Sequence, residues 1–153
     1  MKRFQTGSAS VELAMVGLFF FMTLLGVIET GRLMFTWNAL TEATRLGARA
    51  ASVCPVQNAA IGTIATFNAN GLITGLQSDN IIVNYLDEDG AVVGNPTPGN
   101  PLGFSQVKFV QVSIQGFQYD LLIPGIPSVS LPLFSTTLPR QSLGITPNEA
   151  SGC

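Results

Sequence analysis

A carboxylate at position 12 stands directly ahead of sixteen uncharged residues, Leu13 to Ile28. At the edge of a lipid-facing helix such a group is costly unless it is protonated or paired. One reading leaves Glu12 at the head-group level of a bilayer. Another depends on Gly7. Hydrolysis of the Gly7–Ser8 peptide bond would free an α-amine at Ser8 and make Glu12 the fifth residue of the mature chain. Among staggered parallel helices, that amine can lie beside the carboxylate of a neighbouring subunit. Each charge then satisfies the other, and the pair sets the axial register between subunits.

Other reactive groups are few. Cys54 and Cys153 are too few for a disulfide framework and are not spaced as a zinc site or a redox pair. They can stay free thiols or, outside the cytoplasm, join and tie the tail to the end of a long helix. Closing a loop of about 100 residues is worth at most ~4.7 kcal/mol in the chain-entropy model. Glu29 and Arg32, three apart, read as a surface pair at the outer membrane interface, worth about 0.2–0.5 kcal/mol, with partner recognition as the alternative. The run Asp87-Glu88-Asp89-Gly90 lacks the alternating ligand spacing of a Ca²⁺ loop and reads as a solvated turn.

Histidine is absent, and with it the commonest general base and metal ligand. No Ser/His/Asp set, Gly-rich phosphate loop or HExxH is present. We therefore expect no enzyme and assign no catalytic, cofactor-binding or metal-binding residue. A net charge of −2 without a dense basic patch points away from nucleic acid.

The elements that would position these residues follow from hydropathy. Charged residues make up 10% of the 153, and mean hydropathy is +0.40, apolar for a water-soluble domain. The excess sits in residues 13–28, of which ten are Leu, Ile, Val or Phe. On the insertion scale these sum to about −3 to −6 kcal/mol, although sixteen residues span only about 24 Å of a ~30 Å hydrocarbon core. Lys2 and Arg3 precede the run, so the N-terminus is expected to stay in the cytoplasm. A cleaved secretory signal competes with this reading. The run is long for one, however, an acid heads it, and the only Ala-x-Ala, at 48–50, lies far downstream.

Residues 8–53 contain no proline, which predicts one helix of about 45 residues, transmembrane over about 9–30 and projecting beyond the bilayer. In its second half Leu33, Trp37, Leu40 and Ala51, with Ala43, Gly47 and Ala48 between, form one apolar face. Glu42, Arg45 and Arg49 lie opposite. That face should receive a sheet, and Trp37 should pack in the core.

Three blocks now form a pattern: Gly7-Ser8-Ala9-Ser10-Val11-Glu12-Leu13-Ala14, then Glu29-Thr30-Gly31-Arg32, then residues 38–51, Asn-Ala-Leu-Thr-Glu-Ala-Thr-Arg-Leu-Gly-Ala-Arg-Ala-Ala. Their order and spacing resemble the TadE-like family of tight-adherence (Flp) pilus assembly pseudopilins, over about the first third of the chain. The resemblance implies a minor pilin or pseudopilin with a structural role in pilus biogenesis and adhesion. It would be trimmed after Gly7 by a prepilin peptidase, with Glu12 setting subunit register. Implied partners are inner-membrane lipid, other pilins or pseudopilins and the pilus assembly platform. The implied location is the bacterial inner membrane, single-pass, with the C-terminal domain periplasmic, or the pilus itself. The alternative is an uncleaved bitopic anchor whose outer domain binds other pilus or secretion components.

The expected domain organisation is a basic leader at 1–7, the helix at 8–53 and an extracytoplasmic α+β domain at 54–153. Within that last part we expect a helix over 59–68, closed by Asn70-Gly71, and a strand at 81–86 returning through the acidic turn to 91–93. A loop should follow at 94–103, and then one bent strand at 107–119. A segment crossing one end of the sheet is expected at 121–132, and a last strand at 133–138. The fold class is α+β: a long N-terminal transmembrane helix continuing into a small antiparallel sheet of three or four strands, as in pilins and pseudopilins.

Overall fold

The computed structural model describes residues 6–68, 70–122, 127–145 and 153. Most of the basic leader (1–5), part of the segment expected to cross the sheet (123–126) and most of the polar tail (146–152) lie outside the described residues.

Helix α1 runs unbroken over Thr6–Val53, starting two residues ahead of the expected position and stopping before Pro55. Gly17, Gly26 and Gly31 do not interrupt it. Thr23 and Thr30 donate their hydroxyls to the carbonyls of Phe19 (2.7 Å) and Gly26 (2.8 Å), one turn back, so neither leaves a bare hydroxyl on the apolar surface.

Strands β1 (Ile81–Leu86), β2 (Phe109–Ile114) and β5 (Phe134–Pro139) form an antiparallel sheet in the order β1-β2-β5, with β3 (Gln118–Tyr119) and β4 (Val129–Ser130) as a separate two-stranded ribbon. The large sheet lies across the second half of α1. Leu40, Ala43, Gly47, Ala48 and Ala51 are buried there, as are Val110 and Val112 of β2, with Gly47 beside Val112. Thr44 meets Thr136 of β5 hydroxyl to hydroxyl at 2.8 Å. Glu42, Arg45 and Arg49 keep to the polar side, as the periodicity requires.

Elsewhere the expected elements shift. Helix α2 covers only Ala60–Ala65. Phe67 and Asn68 both turn to positive φ (56°), and the N–H of Asn68 bonds the Thr63 carbonyl at 2.8 Å, a left-handed stop that ends the helix ahead of Asn70-Gly71. The return arm after the acidic turn reduces to a bridge between Leu86 and Val92. Within the turn, the Asp87 carboxylate accepts the backbone N–H groups of Asp89 (3.0 Å) and Ala91 (2.8 Å). Part of the expected 94–103 loop is helical, α3 (Pro101–Gln106) beginning on Pro101. The single bent strand at 107–119 is two strands in two sheets. Gly116, at φ 70°, breaks the run, and Asn80 bonds both sides of Gln115. Trp37 is only half-buried, its indole edge-on to Phe134 at 4.9 Å between centroids.

Candidate functional site

Among the described residues, none buries the apolar part of α1. No residue of its most apolar 18-residue window is buried, and by length and composition this helix can cross a membrane. Leu13, Phe19 and Val27 are each about two-thirds or more exposed. Glu12 is exposed at the head of this surface, one helical turn from Ser8 and so on the same face. Gly7 and Ser8 lie within the first described turn of α1.

At the other end of the apolar run the structure corrects the reading of Glu29 as half of a surface pair. Its carboxylate is buried. It accepts the Tyr119 hydroxyl at 2.8 Å and the Leu122 N–H at 3.3 Å, and it meets the Arg32 guanidinium at 3.1 and 3.2 Å. The guanidinium also stands 5.6 Å from the Tyr119 ring centroid. Glu29 thus clamps the β3–β4 ribbon onto α1, its two oxygens bonded to Tyr119, Leu122 and Arg32. Arg32 remains half-exposed beside a cleft of about 390 Å³ between α1 and residues 72–74 and 117–120. The signal for the buried glutamate was in the periodicity. Glu29, Leu33 and Leu40 stand at i, i+4 and i+11, so the core stripe continues through the acid.

The far end of α1 is closed by the tail. The carbonyl of Ser52 accepts the N–H groups of Gln141 (3.1 Å) and Leu143 (3.3 Å). That of Val53 accepts Gly144 N–H (2.6 Å) and the Ser142 hydroxyl (3.1 Å). These are the carbonyls a helix terminus leaves unpaired. Cys54 and Cys153 are joined by a disulfide across Cα atoms 5.7 Å apart. Beside this junction the buried Tyr85 hydroxyl accepts the Gln57 N–H at 3.0 Å. Its phenol is raised from the usual 10.0 by burial, against the opposing pull of that N–H.

These groups build a rod, a clamp and a latch. Among the described residues no three His, Cys, Asp or Glu side chains gather as a metal site.

Residues 7–49 match the family model described as TadE-like protein, the family that the three motif blocks resemble. The matched stretch lies wholly within α1 and ends before the sheet begins. No curated protein and no solved structure matches the chain.

Proposed function

We propose that this chain is a minor pilin or pseudopilin of a tight-adherence pilus, structural rather than enzymatic. In this reading residues 13–28 lie in the bacterial inner membrane, the N-terminus in the cytoplasm and the sheet-bearing part in the periplasm. A prepilin peptidase removes residues 1–7. The new Ser8 amine of one subunit then pairs with Glu12 of the next as the chain joins other pilins on the assembly platform. The observation that carries this reading is one continuous helix, matched to the TadE-like family over 7–49, whose apolar half is bare while its other half carries a folded sheet. A bare apolar rod of this length is stable in lipid or in a bundle of like helices, not in water. The extra sheet suits a low-copy initiator better than a bulk subunit.

Intact-mass measurement and N-terminal sequencing of the protein from its own cells test the processing step. The mature chain should begin at Ser8. Glu12→Val should leave membrane insertion intact and abolish piliation; normal pili in that variant would remove the register role. A second reading, an uncleaved anchor whose outer part binds other pilus or secretion components, is favoured by one feature. The Gly7–Ser8 bond lies inside the first turn of α1 and must unwind before a peptidase can act on it. Met1 retained in cells that contain the peptidase would decide for the anchor.

A further inference from the structure

The uncharged run of α1 falls short of the bilayer. Sixteen residues reach about 24 Å, and Glu29 would end the span there if its charge faced lipid. Its charge is instead answered within the protein, because Tyr119, Leu122 and Arg32 occupy its oxygens. The elements that bury it bring an apolar surface of their own. Leu121, Val129 and Leu131 line an open groove of about 320 Å³ with Tyr119 and with Gly26, Glu29, Thr30 and Leu33 of α1, so the acid borders the groove with its oxygens already bonded. This groove runs on directly from the bare helix surface and extends it to Leu33, five residues or about 8 Å further. The total, about 32 Å, then matches the ~30 Å of a hydrocarbon core. At the same level the half-exposed guanidinium of Arg32 is placed to meet a phosphate.

We propose that this face, the β3–β4 ribbon against α1, is immersed in the outer leaflet, with phospholipid acyl chains filling the groove and a head-group phosphate at Arg32. The chain then meets the bilayer through two elements, a spanning helix and a ribbon that completes the span. The proposal rests on the membrane reading given above.

Full-length protein in vesicles of phosphatidylcholine and phosphatidylglycerol, carrying lipids brominated near the head group or near the chain end, separates the two. In a Trp37→Phe background, single tryptophans are placed by Phe20→Trp, Val129→Trp, Leu122→Trp and Val92→Trp. Val92 is exposed at the end of the sheet remote from the ribbon and serves as the aqueous reference. Phe20→Trp should lose emission chiefly to chain-end bromine. Val129→Trp and Leu122→Trp should lose it chiefly to head-group-proximal bromine, and Val92→Trp to neither. If Phe20→Trp is quenched while both ribbon probes behave as Val92→Trp does, the immersed ribbon is wrong and the spanning helix stands. An unquenched Phe20→Trp overturns the membrane reading and the ribbon proposal with it.

Discussion

Gly47 sits at a close approach of α1 to both α2 and the sheet. A Cβ built there would stand 3.0 Å from both the Ala65 Cβ and the Val112 Cγ1. Glycine inside a helix costs about 0.5–1 kcal/mol against alanine, so its presence signals that the contact is worth more than the propensity. Gly47→Val should destabilise the sheet-bearing part by about 1–3 kcal/mol, with each kcal/mol lowering its melting temperature by about 4–8 °C. Near-UV circular dichroism of the full chain in detergent reads this directly. Tyr85 gives a second expectation at this scale. Its phenol holds its proton more tightly folded than unfolded, so its contribution to stability is complete below about pH 10 and is lost as pH rises through the folded value. Tyr85→Phe should flatten the alkaline limb of the stability curve, measured by urea melts between pH 9 and 12, leaving the slope due to other groups that titrate there. Gly47, Ala43 and Ala48 were legible from their spacing along α1. The engagement of Tyr85 with Gln57, 28 residues away, was not, because nothing local in either residue encodes it.

Elements were legible where one period ran long. The helix and β1 emerged from periodicity close to their expected ends, since proline-free 3.6-residue repetition and a β-branched run each have one good solution. Boundaries set by single backbone conformations were not. Phe67 adopting positive φ shortened α2, and Gly116 divided an apparent strand between two sheets. At Gly116 the signal was present, since a glycine within a strand pattern marks a bulge or a break. The closure of α1 by residues 141–144 was also out of reach, because a polar tail carries no periodicity. That closure depends on Gly144. Its φ is +80°, and a Cβ there would fall 2.6 Å from the Pro55 Cγ and 2.7 Å from the proline backbone. Gly144→Ala should cost about 1–3 kcal/mol through backbone strain. It should also speed hydrogen exchange at the amides of the last turn of α1, where the tail no longer shields the helix end.

At the scale of the whole molecule, three attachments hold the folded part to the rod: the Glu29 clamp on the ribbon at one end, the buried alanine and glycine stripe under the sheet in the middle and the tail latch at the other. The latch includes the Cys54–Cys153 disulfide, which closes a sequence separation of 99 residues. Its chain-entropy ceiling of ~4.7 kcal/mol is comparable with the net stability of a small domain, so compartment and stability are linked. A periplasmic C-terminal part forms this bond, whereas a cytoplasmic one keeps both thiols reduced. Maleimide labelling of the protein denatured directly from cells should therefore add nothing before reduction and two adducts after it. Two adducts without reduction would place the sheet on the cytoplasmic side and reverse the proposed orientation. Replacing both cysteines by serine should leave the helix and sheet in place, because Cys54 is the one half of the bond in the core and the other buried residues of α1 and the sheet remain. It should lower resistance to urea, and proteolysis should then begin in the chain after residue 144, since residues 141–144 would still be held by their bonds to Ser52 and Val53 and by the buried Leu143 side chain.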